Sequence, residues 1–270
     1  MLDATTIAIA VPLGLLAGTL GGMLGVGGSV IMIPGLTLAL GPDQHLYQAA
    51  AMIANVAVAL PAARRHWQAG ATVRAVLVWM LPLALVFVVL GVWASNWPVF
   101  KGTDNGKWLG RILAMFLVYV IVENVLRLRR GSQRETTAPQ PARITPARSS
   151  AIGAVMGTTA GLLGIGGGAL AVPLQQVLLH LPLRHAIANS SFVMVVSAAV
   201  GAIYKNATLA PHGVRWQSSL LLAACLAPTC ALGGRLGASL THRLPLRYVR
   251  LAFIALMIVA TWRMLALPWP

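Results

Sequence analysis

Long apolar stretches alternate with short polar breaks along almost the whole chain. Most of the stretches approach the roughly 20 residues that a helix needs to cross about 30 Å of hydrocarbon. The pattern therefore predicts an all-α, polytopic membrane protein. The apolar stretches cover residues 5–24, 29–40, 46–63, 73–97, 108–126, 150–164, 169–181, 185–204, 216–240 and 248–268.

Two of these stretches are too short to span a bilayer comfortably. Residues 29–40 and 169–181 would form helices only roughly 18–20 Å long at 1.5 Å per residue. Each of them follows a segment that is very rich in glycine. We predict that both are half-helices, each forming a broken-helix hairpin with the helix before it.

A polar segment at residues 127–149, rich in arginine and proline, divides the chain into two similar halves. Residues 14–34 align without gaps on residues 153–173, and nine of these 21 positions are identical. This similarity indicates an internal duplication. We predict a first transmembrane repeat at 1–126, a polar cytoplasmic linker at 127–149, and a second transmembrane repeat at 150–270.

The basic residues indicate how the two halves are oriented. Thirteen Lys and Arg fall in the linker and in breaks on the same side of the membrane, against six on the other side. Since positive charge is enriched in cytoplasmic loops, the linker side is predicted to be the cytoplasm. Each half has five apolar stretches, an odd number, so the second half enters from the opposite face. Two inverted five-segment repeats are typical of secondary transporters.

Composition agrees with this interpretation. Hydrophobic residues make up 58% of the 270 positions and charged residues 9%, yet the formal net charge is +15. The cations lie in breaks between apolar stretches, not on a basic face that could read nucleic acid, so the charge indicates membrane topology. Few cations remain at membrane depth. An anion site there would have to use backbone amides and helix ends.

The glycine-rich segments before the short stretches are the main candidates for such a site. They read LGVGGS at 24–29 and LGIGGG at 163–168, and this much glycine should open the helix into a sharp turn. The helix that follows begins with free N–H groups and a partial positive charge. Two such helix starts are predicted to converge near the midplane and to bind an anion directly through their amides. The candidate residues are Gly25, Gly27, Gly28, Ser29, Gly164, Gly166, Gly167 and Gly168. A turn without a ligand is the alternative.

Glycines also recur every four residues just before these segments, a spacing that predicts a bare helix face for close packing. They are Gly14, Gly18 and Gly22, and Gly153, Gly157 and Gly161.

Neutral polar residues near the start of later apolar stretches are further candidates. Asn189, Ser190 and Ser191 offer donors suited to an oxyanion, and Asn55 is the first-half counterpart by rough position. Hydrogen bonds between neighbouring helices are the alternative role for these side chains.

The remaining polar residues do not suggest catalysis or metal binding. Glu123 lies four residues before Arg127, which favours a salt bridge over a proton relay, and Arg235 is placed to reach the cytoplasmic face. The histidines and the cysteines Cys225 and Cys230 lack metal-ligand or redox spacing. We therefore predict no catalytic residue, metal or cofactor.

The paired glycine segments also resemble a known family. GMLGVGGSVIMIP at 22–34, GLLGIGGGALAVP at 161–173 and LPLRHAIANSS at 181–191 are similar to segments of the TauE/SafE family of sulfite and organosulfonate exporters. The resemblance covers essentially the whole chain outside the linker. Asn189 stands where that family often has Thr, and residues 49–55 depart from a Gly-Thr-Ser-like stretch.

This resemblance implies a multi-pass transporter of the bacterial inner membrane that moves a small sulfur-containing anion. Combined with the inverted halves, it predicts a secondary transporter that exports sulfite or an organosulfonate by alternating access. Its partners would be the small anion, such as sulfite, thiosulfate or an organosulfonate, and the lipid bilayer. The residues leave two alternatives open: an anion channel, and an importer of a related sulfur anion. They do not indicate an oligomeric state.

Overall fold

The computed structural model describes residues 4–24, 27–100, 102–129, 143–240 and 246–266. Within these ranges the chain forms α-helices joined by short turns and contains no strand, so the predicted all-α class is confirmed. The helices are α1 Ala4–Leu24, α2 Ser29–Leu40, α3 Gln44–Gln68, α4 Arg74–Ser95, α5 Gly102–Arg129, α6 Pro146–Leu163, α7 Gly168–Leu178, α8 Leu183–Ala207, α9 Trp216–Leu240 and α10 Leu246–Ala266. Short 3₁₀ helices occur at Pro98–Phe100 and Ala210–His212.

Six of the described helices are long and apolar enough to cross a membrane. The outer surface is apolar as well: Ile203 is 73% exposed and Trp262 is 71% exposed. A soluble protein would not leave so many large apolar side chains in water, whereas lipid accommodates them. The prediction of a polytopic membrane protein is confirmed. The six segments are Ala4–Met23, Gln44–Gln68, Arg74–Ser95, Trp108–Leu126, Leu183–Ala207 and Trp216–Gly237.

The predicted short stretches form short helices, α2 and α7. Residues 130–142 of the predicted linker lie outside the described residues. The helices on either side extend into the predicted linker range, α5 as far as Arg129 and α6 from Pro146. The start of α6 is stabilised by Thr145, whose hydroxyl accepts a hydrogen bond from Arg148 N, and by proline in the first turn.

Helix boundaries repeat along the chain at the offset seen in the sequence. Leu24 and Leu163, the last residues of α1 and α6, are 139 positions apart, as are Ser29 and Gly168, the first residues of α2 and α7. Helices α3 and α8 begin and end at the same offset. The packing of α1 against α9 corresponds to that of α6 against α4. The two halves therefore share one helical plan.

The closest helix contacts depend on the glycine stripes. An added Cβ on the stripe of α6 would collide with backbone atoms of α4, and one on the stripe of α1 would collide with α9. The absence of side chains lets these helix backbones approach each other directly. The predicted packing role is confirmed for Gly153, Gly157 and Gly161 and for Gly14, Gly18 and Gly22.

Helices α3 and α8 cross in opposite directions at the centre of the molecule. His45 at the start of α3 contacts Lys205 near the end of α8. At the other end, His66 of α3 lies within electrostatic range of Arg184 in α8. The midpoints of both helices therefore lie at the centre, where the two glycine turns meet them.

Replacing Gly157 with leucine is expected to destabilise the protein by about 3 kcal/mol, the upper end of the range for overpacked interiors. The reason is that the new side chain would meet the backbone of Ala84 in α4. Ala151→Leu, on the exposed face of the same helix, is the matched control. Thermal melting of the purified protein in detergent measures both. Equal melting temperatures for the two variants would contradict the assigned helix contact.

Candidate functional site

The first glycine turn connects α1 to α2. Gly27 has a φ of +88°, in the left-handed region that favours glycine, and Gly28 occupies the cap position before Ser29. Gly28 O accepts hydrogen bonds from the amides of Ile31 and Met32, both at 3.0 Å. A glycine at this position has no side chain to cap the helix, so the start of α2 is accessible to other groups.

The second glycine turn, between α6 and α7, has three left-handed residues. Gly164, Gly166 and Gly167 have φ values of +74°, +72° and +68°. Gly164 N donates to Ala160 O at 2.9 Å and thereby ends α6. Gly167 is the uncapped residue before α7, which begins at Gly168.

The two turns meet at the same pair of side chains. A Cβ on Gly27 would lie 3.1 Å from Met194 Sδ and 3.6 Å from Asn55 Oδ1. One on Gly166 would lie 2.8 Å from Met194 Sδ and 2.9 Å from Asn55 Nδ2. The turns also face each other, because the Gly27 position is 3.6 Å from Ile165 O in the second turn. Asn55 and Met194 occupy equivalent positions, 139 residues apart, on α3 and α8.

Asn55 holds the start of α2 through both ends of its amide. Its Oδ1 accepts from Ser29 N at 3.2 Å, and its Nδ2 donates to Ser29 Oγ at 2.8 Å. Both side chains are completely buried. Ser29 Oγ accepts this bond and keeps its own hydrogen to donate. The groups at the meeting point are neutral, so its positive potential comes from the two helix starts.

Asn189 and Ser190 belong to another buried network. Asn189 Oδ1 accepts from Val73 N at 2.8 Å, and its Nδ2 donates to Gln175 Oε1 at 3.0 Å. Gln175 Nε2 in turn donates to Ser190 Oγ at 2.8 Å. These bonds connect α8 to α7 and to the loop before α4. They are the helix-to-helix bonds considered as the alternative, and Ser191 is buried beside them.

The structure thus brings together most of the predicted turn residues, and Asn55 with them. Gly25 lies outside the described residues. Sequence reasoning did not identify Met194 or Gln175. Met194 has a signal in the sequence, because it is the 139-residue counterpart of Asn55, whereas the buried Gln175 is marked only as a glutamine in a short apolar stretch.

The other residues considered from the sequence lie elsewhere. Glu123 is half-buried on α5, and Arg235 is exposed on α9. The predicted partner of Glu123, the side chain of Arg127, lies outside the described part of the structure.

Membrane-crossing helices packed around a buried polar centre define the chain as a membrane transport protein in class. The chain belongs to the sulfite exporter TauE/SafE family, which it matches over residues 10–264. It is therefore a multi-pass membrane transporter of the bacterial inner membrane, as predicted.

Named relatives agree with this class. The chain is 27% identical, over 94% of its length, to the probable membrane transporter protein MamO of Magnetospirillum gryphiswaldense. It is 24% identical, over 87% of its length, to the probable membrane transporter protein YunE of Bacillus subtilis, and 26% identical, over 96%, to a probable membrane transporter protein of Haemophilus influenzae. The chain spans 44% of MamO, 89% of YunE and 98% of the Haemophilus protein. No solved structure matches the chain.

Asn55→Ala is expected to destabilise the protein by about 1–3 kcal/mol, because it leaves the buried Ser29 N–H without its acceptor. Asn124→Ala is the matched control, since the Asn124 amide donates only to a backbone carbonyl one turn earlier in α5. Thermal melting followed by tryptophan fluorescence compares the two variants. A loss no larger in Asn55→Ala than in the control would contradict the role of Asn55 in holding α2.

Proposed function

We propose that the protein exports a small sulfur-containing anion, sulfite or an organosulfonate, by alternating access between two inverted repeats. The observation that carries this proposal is the convergence of Gly27 and Gly166, one from each half, on Asn55 at the centre of the molecule. The family to which the chain belongs is described as one of sulfite exporters, which supports the choice of anion.

The anion would lie between the starts of α2 and α7. Both helix starts have a glycine at the cap position, so an oxyanion can approach the backbone amides without meeting a Cβ. The Ser29 hydroxyl adds a donor, and Asn55 fixes its position. The proposed binding residues are Gly25, Gly27, Gly28, Ser29, Asn55, Gly164, Gly166, Gly167 and Gly168.

Asn189, Ser190 and Ser191 have a supporting role in this proposal. Through Gln175 they hold α7 against α8, and α7 carries one of the two proposed anion-binding ends. A neutral site of this kind suits a transporter, because an anion bound by dipoles and hydrogen bonds is released more readily than one paired with a buried cation.

The arrangement of helices supports the inverted repeats. Helices α3 and α8 occupy equivalent places in the two halves and run in opposite directions. The contacts of α1 with α9 and of α4 with α6 pair each half with the other in the same manner. In inverted-repeat transporters, rocking of one unit against the other moves access from one side of a midplane site to the other.

Counterflow in proteoliposomes tests the proposal. Vesicles loaded with unlabelled anion and diluted into labelled anion should take up label with saturating kinetics for at least one of sulfite, thiosulfate, sulfoacetate and taurine. Protein-free vesicles are the control. Absence of saturable uptake for all four anions would overturn the proposal, and ohmic single-channel currents would indicate a channel instead.

Gly27→Leu and Gly166→Leu are each expected to reduce this counterflow at least about a hundredfold while the protein still inserts into the membrane. The leucine side chain would fill the space between Met194 and Asn55. Gly70→Leu is the matched control, because Gly70 also has a positive φ, +62°, but open space beyond its Cα. Full counterflow by both site variants would show that the turns are only structural.

A further inference from the structure

A lysine is completely buried at one end of the α3–α8 pair. Lys205, in the last turn of α8, has no exposed surface. Its Nζ lies 2.9 Å from His45 Nδ1, 2.8 Å from Ser95 Oγ and 3.2 Å from Asn96 Oδ1. His212 stacks on His45 at 3.7 Å between ring centroids. We call these five residues the outer cation cluster.

The hydrogen bonds of the cluster define the charge on the lysine. The serine hydroxyl donates to Val92 O at 2.7 Å, and the asparagine NH₂ donates to Thr208 Oγ1 at 2.8 Å. The His45 Nε2 lies 2.9 Å from Phe100 O, a carbonyl that can only accept, so the other ring nitrogen is left as an acceptor. All three neighbours of Lys205 Nζ therefore accept from it. An amine that donates three hydrogen bonds is a charged ammonium group.

This ammonium group has only neutral acceptors among the described residues. The titratable groups that face it are His45 directly and His212 behind it. Asp43 lies two residues before His45, but its carboxylate accepts from Leu46 N and caps α3. A buried charge without an opposite charge is destabilising. The cluster thus holds positive charge that a bound anion would compensate.

The other end of the α3–α8 pair has an equivalent pair of basic residues. At the offset of 139 residues, Lys205 corresponds to His66 and His45 corresponds to Arg184. His66 and Arg184 lie within electrostatic range of each other, as Lys205 and His45 do. This second pair is open, with Arg184 exposed and His66 half-buried.

The two basic pairs are evenly placed about the glycine turns. His45 is 10 residues and His66 is 11 residues from Asn55 along α3, which is roughly 15 Å in each direction at 1.5 Å per residue. Each pair therefore lies near one edge of a hydrocarbon layer about 30 Å thick. By the distribution of basic residues, the Arg184 end faces the cytoplasm.

We propose that the outer cation cluster is a second anion site, which takes the small oxyanion from the central turns and releases it on the outer side. In the described conformation this site is closed, while the pair at the cytoplasmic end is open. This inference rests on the proposed function, since it adds an exit site to the same transport path. When the outer end opens, oxygens of the anion replace Ser95 and Asn96 as acceptors for Lys205.

Thiol labelling from the outside tests the cluster without knowledge of the substrate. Ser95→Cys is made in a Cys225→Ser/Cys230→Ser background and treated, in intact cells, with two impermeant methanethiosulfonates, the anionic 2-sulfonatoethyl and the cationic 2-(trimethylammonium)ethyl reagent. We expect the anionic reagent to react about tenfold faster, because it is attracted by Lys205. Adding Lys205→Met should abolish this preference, and Lys205→Arg should retain it. Val99→Cys, at an exposed position in the neighbouring 3₁₀ helix, is the control for reagent reactivity.

Each other outcome contradicts the proposal. If cysteine 95 is never labelled while cysteine 99 is, the cluster is a sealed structural contact. If both reagents react equally, or if the preference survives Lys205→Met, Lys205 does not attract anions there. Counterflow separates this inference from the proposed function: Lys205→Met should raise the KM for external anion about tenfold and leave the internal KM unchanged. Failure of wild-type counterflow would refute the proposed function, and the labelling result would still decide the cluster.

Discussion

Direct backbone contact between helices, possible only where side chains are absent, is the constraint on which this structure depends. Glycine stripes let α1 lie against α9 and α6 lie against α4. Since α1 and α6 each end in a glycine turn, these contacts also fix where the turns lie. Both turns are brought to the middle of α3 and α8, where Asn55 and Met194 separate them. The packing of the helices and the geometry of the candidate site thus have a common physical origin.

Charge is distributed in keeping with this geometry. The centre contains neutral donors and helix starts, whereas basic side chains lie at the two ends of the α3–α8 pair. An anion moving along this pair would meet a cationic end, a dipolar centre and a second cationic end. The two ends differ in burial, since Lys205 is sealed and Arg184 is exposed. That difference, between positions equivalent in sequence, corresponds to the asymmetry that alternating access requires.

Much of the fold follows from the sequence because lipid imposes a simple rule: apolar stretches become helices and glycine-rich segments interrupt them. The short stretch predicted at 29–40 coincides with α2, and the predicted break before residue 168 coincides with the start of α7. Asn55 was identified only by rough position, and its pairing with Ser29 depends on how α3 packs on α2. The sequence counts Lys205 as a loop charge on the outer side. Its burial could not be predicted, because it results from the antiparallel contact of α8 with α3, between residues 160 positions apart.

The most direct test of an anion site at the paired glycine turns is an equilibrium binding measurement on the purified protein. Thermal stability is recorded against increasing concentrations of sulfite, thiosulfate and organosulfonates, for the wild type and for Gly166→Leu. A ligand that binds only the folded state raises its stability by mass action, by about 2.7 kcal/mol at a hundred times the Kd. We predict a saturable rise in melting temperature for the wild type with at least one of these anions and no rise for Gly166→Leu. An equal rise in both proteins, or no rise in the wild type with any of these anions, would contradict a binding site at the turns.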